Sequence, residues 1–251
     1  MNSQVTNYNV NSIHSSSIIS SYNKNKTNFS STSLSKKNPL RMIPKIKNVS
    51  PFRSLRLIIH GSSGGYIHPL VNYVIKQVEY LRGSSVDLEV LTQKKPKHSR
   101  SSSVLVVPLL LLPGKHVQHD IPQICKRLNH EGINTQLLPF LGCWYQWISI
   151  LKYFINIESQ IGKPILLHHP LNNSIGSSYL EKLNRTLKIP IEPWSKWSKL
   201  REKEDPIYTP IPFSLTPNKN TKNLRTHDSI SSLLEIDIFL FGLINILTHL
   251  P

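Results

Sequence analysis

The chain has 251 residues, 39% of them hydrophobic, which suits one large domain or two modest lobes with a real core. Its formal charge of +16 points to anionic company, whether nucleic acid, a membrane surface or a polycarboxylate ligand, and charge alone does not choose among them. The two cysteines, Cys125 and Cys143, exclude a disulfide framework and a four-thiolate metal site, and read as ordinary reduced thiols.

Residues 1–52 are rich in Ser, Asn and Lys, and no acidic residue precedes Glu79. Such a segment buries too little apolar surface to offset its ordering entropy, so it is expected to be a disordered or targeting segment. A chain starting at Met42 is expected to fold as the full chain does. The protein is expected to be cytoplasmic; the alternative is the plastid stroma, should this Ser-rich, acid-poor segment be a transit peptide. No apolar core follows the start, so no secretory signal is expected. The apolar run Val104–Leu112 and the tail "IDIFLFGLINIL" both fall short of the roughly 20 residues needed to span a membrane.

The ordered part opens with a strand at Leu55–Ile59, a Gly/Ser turn "HGSSGG" from His60, and a helix whose apolar residues Leu70, Val71, Val74, Ile75, Val78 and Leu81 recur at helical spacing. Gly83 ends that helix. "VDLEVLT" predicts a second strand and "VLVVPLLLL" a third, apolar enough for a buried parallel sheet. A helix from about Gln118 to Asn129 follows, then a fourth strand in "INTQLLPFL". This alternation predicts an open, mainly parallel α/β sheet, whose ligands sit beyond the carboxyl ends of its strands. His60 lies at the end of the first strand and His116 just beyond the end of the third. If those strands are neighbours, the two imidazoles converge on one crevice.

Other conspicuous residues have plainer readings. Asp120 reads as a helix-terminal acid favoured by the dipole, and His119 as an exposed residue of the same turn. The pairs Trp144/Trp147 and Trp194/Trp197 read as packing faces of helices. "KKPKHSRSSS" reads as a solvated loop, and without interleaved aromatics a nucleic-acid partner is not expected.

"LIIHGSSGG", "VDLEVLTQKKP", "VVPLLLLPGKHVQHDIP" and "LLPFLG", in that order, resemble the landmarks of CbiX-type class II chelatases, the sirohydrochlorin cobaltochelatases and ferrochelatases. The resemblance covers residues 55–142 best. A fainter echo starts at Lys163, where "PILLHHPLNNSIGSSYLEKLNRTL" repeats strand, histidine, loop and helix. It implies a class II chelatase-like fold with a complete lobe over residues 53–158 and an eroded, degenerate one over 159–251. It also implies insertion of a divalent metal, Co2+ or Fe2+, into sirohydrochlorin or a related anionic tetrapyrrole, with the metal as substrate and no nucleotide. By the same resemblance His60 and His116 would handle the metal and take up pyrrole protons. Gly61, Ser62, Ser63, Pro113, Gly114 and Lys115 would hold the substrate.

Two departures from the family pattern stand out. Thr92 occupies the position where members often place an acidic residue facing the metal. Only residues 93–103 separate the second and third strands, fewer than a parallel crossover with its helix needs, so that helix is expected to be missing. These departures make a non-catalytic tetrapyrrole or metal carrier the alternative. Residues 190–235 match nothing recognisable in the family, and the tail "IDIFLFGLI" is expected to supply a buried strand to the second lobe.

Overall fold

The computed structural model describes residues 53–61, 65–93, 101–201, 208–217 and 231–251. The expectations for residues 1–52 therefore lie outside the described residues.

Strand β1 (Ser54–Ile59) is buried from Leu55 onward because it runs through the middle of a sheet. It pairs in parallel with β2 (Val86–Val90) on one side and β3 (Ser103–Pro108) on the other, and β4 (Asn134–Leu137) joins β3, giving the order β2-β1-β3-β4. Burial on both faces accounts for the unbroken apolar run of β3. The third strand ends sooner than its apolar run implies, at Pro108. The Leu109 amide makes the last ladder bond, to the Ile58 carbonyl at 2.8 Å, and the leucines beyond it form an apolar loop rather than more strand.

Helix α1 (Pro69–Arg82) is begun by His68, whose ring accepts from the Leu70 amide, and by Pro69 in its first turn; Gly83 ends it in the left-handed region at φ +64°. Its stripe Val71, Val74 and Val78 packs on one face of the sheet. There the structure corrects the expected strand in the tail, because Asp237–Thr248 is a helix, here numbered α6. Phe239, Leu240, Leu243, Ile244, Ile246 and Leu247 are all buried, and a run apolar on nearly every side cannot be assigned to strand or helix by periodicity. The buried Arg82 guanidinium fixes the end of α6, donating to the carbonyls of Leu247 (3.0 Å), Thr248 (3.1 Å) and Leu250 (2.6 Å), where helix carbonyls lack internal partners.

The opposite face carries α2 (Ile121–His130), which covers Ile58, Val104 and Val106 with Ile121, Leu128 and Ile133. Among the described residues no helix lies between β2 and β3, and α6 packs on the other face. Where that helix would rest, the sheet presents charge. Arg56, fully buried, donates to Glu89 at 2.8 Å and approaches Asp87 at 3.8 Å, while Arg127 of α2 meets the other Glu89 oxygen at 2.6 Å. Buried charges persist only when paired in this way.

Residues 190–235, which match no family landmark in sequence, contain two strands of a second parallel sheet. β5 (Lys163–His168) is flanked by β6 (Ile191–Pro193) and β7 (Tyr208–Pro212), in the order β6-β5-β7, with α4 (Ser174–Leu187) following β5. The linking helix α3 (Tyr145–Glu158) buries Trp147 against Phe239 of α6 at a ring separation of 5.4 Å. One apolar core runs from Leu55 of β1 to Leu166 of β5, so the two sheets share an interior. Trp144, Trp147 and Trp197, the last opening the short helix α5 (Trp197–Arg201), are buried in packing roles, as the sequence reading holds. Among the described residues no helix is long and apolar enough to cross a membrane.

Candidate functional site

His60 follows β1 directly, whereas His116 stands eight positions beyond the end of β3. The intervening loop is built to bring it back. Gly142 donates to the Leu110 carbonyl at 3.0 Å, Leu111 and Pro113 are buried, and the Gln118 side chain holds the Pro113 carbonyl at 3.0 Å. The chain then enters a single π turn, His116–Asp120, before α2. Such widened turns recur at functional sites. The imidazoles of His60 and His116 meet edge to face, with ring centroids 4.7 Å apart and planes at 76°.

Their hydrogen bonds decide which nitrogens are available. His60 Nδ1 lies 2.8 Å from the Gly61 carbonyl, which can only accept, so Nδ1 carries the proton and Nε2 the lone pair. His116 Nδ1 contacts Asp120 Oδ2, and an ionised carboxylate likewise only accepts. Asp120 thus holds the imidazole in the tautomer that frees Nε2, the usual arrangement behind a metal-ligating histidine. Two neutral nitrogen donors with open positions around them suit a transfer site rather than a closed structural one. Among the described residues no group of three or more His, Cys, Asp or Glu side chains is placed to hold a metal.

Gly61 has φ +74°, and a side chain there would collide with Val90 Cγ1 at 2.3 Å and Thr92 Oγ1 at 2.7 Å, so the turn requires glycine. The same contact places Thr92 beside the peptide next to His60. Lys115 is exposed and Gly114 half-buried at the mouth, whereas Pro113 is buried with its carbonyl already engaged. Ser62 and Ser63 lie outside the described residues.

Sequence reasoning misses two residues. Asp120 is one; its signal was the His-x-x-x-Asp spacing, which puts both side chains on one side of a helical turn. His169 is the other. Strand register makes it the counterpart of His60: Ile58 pairs with Glu89 and Pro108, as Leu167 pairs with Glu192 and Pro212. The Leu109 amide bonds Ile58, and the Phe213 amide bonds Leu167, both at 2.8 Å. On that correspondence "PLLLLPGKH" from Pro108 matches "PFSLTPNKN" from Pro212, with Asn220 in place of His116. His169 is solvent-exposed, yet its imidazole is held below its ordinary value, first by desolvation and then by His60 and His168. His168 is buried, its Nδ1 2.6 Å from the His169 carbonyl, and burial lowers it too.

Parallel sheets joined through one core, with facing strand-end histidines, define an α/β protein of class II chelatase architecture. Residues 57–156 match the CbiX family model. Among solved structures it resembles the sirohydrochlorin chelatase SirB from Bacillus subtilis subspecies spizizenii in complex with cobalt, at 13% identity and TM-score 0.53, covering 76% of this chain and 92% of that one. SirB from Bacillus subtilis with Fe3+ is similar at 14% identity and TM-score 0.53, with the same coverage. DR2241 from Deinococcus radiodurans, a multi-domain protein with structural similarity to chelatases, matches at 15% identity and TM-score 0.50 over 77% of this chain and 54% of that one. At these identities the likeness speaks for the fold. No curated protein matches the chain in sequence.

Proposed function

We propose that the protein inserts a divalent metal, cobalt or iron, into sirohydrochlorin or a related anionic tetrapyrrole, without nucleotide. The observation that carries this reading is the His60–His116 pair, 4.7 Å apart at the carboxyl ends of neighbouring strands, with Nδ1 of each ring occupied and Nε2 of each available. Neutral imidazole binds a divalent cation, releases it readily, and accepts protons near neutral pH. In this reading the cation first rests on the two Nε2 atoms and then passes to the ring nitrogens. His116 takes up a pyrrole proton once its lone pair is free, and Asp120 stabilises the imidazolium so formed. Gly61, Ser62, Ser63, Pro113, Gly114 and Lys115 surround the substrate, Lys115 meeting its peripheral carboxylates by charge. The match of residues 57–156 to the CbiX family model and the sirohydrochlorin chelatases among the structurally similar proteins support the reading.

A second reading, a tetrapyrrole or metal carrier, is favoured by Thr92, which puts a hydroxyl against Gly61, the residue after His60, where a carboxylate would raise cation affinity. One experiment separates the two. Purified protein is mixed with sirohydrochlorin and Co2+, Fe2+ or Ni2+ while the absorbance spectrum is followed. Insertion faster than in buffer supports the chelatase; a binding spectrum with insertion no faster than in buffer supports the carrier.

A further inference from the structure

We propose that the outer edge of β4 is a docking site for an extended segment of a partner protein bearing acidic side chains, which adds a strand to the first sheet beside β4; the inference does not depend on the tetrapyrrole reading above. A strand at the edge of a sheet has backbone amides and carbonyls turned outward, and proteins close such edges with proline or with charge directed into the sheet. Among the described residues the two sheets have four edge strands, β2, β4, β6 and β7. β2 carries Asp87 and Glu89, drawn to the buried Arg56, β6 ends in Pro193, and β7 contains Pro210 and Pro212. β4, with the sequence Asn-Thr-Gln-Leu, has neither device, and Asn134, Gln136 and Leu137 are exposed.

The ladder shows which groups are open. The amides of Asn134 and Leu138 donate inward, to the Ser102 carbonyl at 2.8 Å and the Val106 carbonyl at 3.0 Å. Backbone groups alternate in direction along an extended strand, so Thr135 and Leu137 turn theirs to the outside. The flanks supply charge of one sign. The Thr135 hydroxyl donates to Asn129 of α2 at 2.8 Å, and Asn129 lines a groove of about 590 Å³ along that helix with Pro122, Cys125, Lys126 and His130. Gln136 alternates to the other side of the sheet, where its side chain accepts from the exposed Arg53. Cations therefore stand on both sides of the strand, while Glu131 is held by Arg127 at 3.0 Å and no Asp or Glu occurs from Gly132 to Ile157. Leu137, 45% exposed, offers an apolar contact between them. A second copy paired edge to edge would set Lys126 and Arg53 against their own counterparts, whereas an acidic strand pairs with both, so charge selects the occupant.

The test uses the full chain and a fluorescent, end-capped peptide, Glu-Val-Glu-Glu-Val-Glu, which presents acidic side chains on both sides when extended, beside its counterpart Lys-Val-Lys-Lys-Val-Lys. The acidic peptide is expected to bind and the basic one not, and hydrogen exchange at the Thr135 and Leu137 amides is expected to slow when the acidic peptide is bound. Leu137→Pro removes one outward donor and no inward bond, so the melting temperature is expected to hold while affinity for the acidic peptide falls about tenfold or more, the scale of one hydrogen bond lost with its partner left unpaired. Lys126→Glu, which leaves the backbone unchanged, is expected to weaken the acidic peptide as well, and it decides the matter if Leu137→Pro does not fold. No binding of the acidic peptide, equal binding of both peptides, binding without slowed exchange at Thr135 and Leu137, or wild-type affinity in either folded variant would each overturn the inference. Slowed exchange at those amides on raising protein concentration alone, with dimers in sedimentation, would give the edge to a second copy and overturn it too.

Discussion

The two sheets end in the same way and do different things. Past β1 the chain turns through Gly61 at φ +74° and leaves His60 exposed against His116; past β5 the equivalent position to Gly61 is Pro170, His168 is buried, and the loop "HHPLNNS" has lost its glycines. The difference teaches that one βαβ scaffold can keep its ladder registers while its strand-end chemistry diverges, because the ladder depends on backbone amides and the chemistry on a few side chains beyond it.

The sharpest way to break this comparison is His116→Ala. Insertion is expected to fall about 100- to 10,000-fold while sirohydrochlorin binding, followed by absorbance, is retained. Asp120→Ala is expected to weaken Co2+ binding about 10- to 100-fold in calorimetry, because Nδ1 loses the acceptor that fixes the His116 tautomer. If Co2+ binding is unchanged, Asp120 does not orient His116.

The seam between the sheets can be tested by Gly142→Ala. A side chain there would meet the Leu111 carbonyl oxygen at 2.1 Å and the Tyr179 hydroxyl at 2.7 Å, so a loss of about 1–3 kcal/mol in urea unfolding is expected. Gly132→Ala, with φ +79° and nothing within 4 Å, meets only backbone strain and is expected to cost less. Thr92→Glu carries the opposite sign: a carboxylate beside His60 is expected to strengthen Co2+ binding in the same calorimetry. Weaker binding would remove Thr92 from the site.

The smallest effect concerns the buried histidine of the second sheet. His168 is lowered in the folded chain, chiefly by desolvation, so the unfolded chain binds a proton more readily. The stability it contributes is complete above its unfolded value near 6.5 and is lost as pH falls from there through its folded value. His168→Gln is expected to flatten melting temperature against pH in that window. An unchanged slope would assign the acid sensitivity elsewhere.

Much of the first sheet is legible in the sequence. Buried parallel strands must be aliphatic on both faces, and Gly83 and Pro69 mark the limits of α1, so β1, α1, β2 and β3 can be read in order. That His60 and His116 follow neighbouring strands comes from topology, while the meeting of their rings depends on the loop between β3 and His116. Less is legible where local pattern and tertiary role part. The tail reads as a strand because continuous apolarity has no period, and it is a helix because α1, α3 and the core enclose it on almost every side. β6 and β7 are short and proline-containing, and they become strands only beside β5.

The sequence by itself determined the alternation of strand and helix, the glycine turn after β1 and the residue types at the strand ends, because these are local consequences of side-chain period and backbone freedom. Only the tertiary structure decided that Asp120 turns toward His116 rather than serving as a helix-terminal charge, and that His169 is the counterpart of His60. The first depends on the width of a π turn and the second on strand registers more than a hundred residues apart in sequence. Such relations have no local signature, since they exist only once distant backbone amides have found their partners.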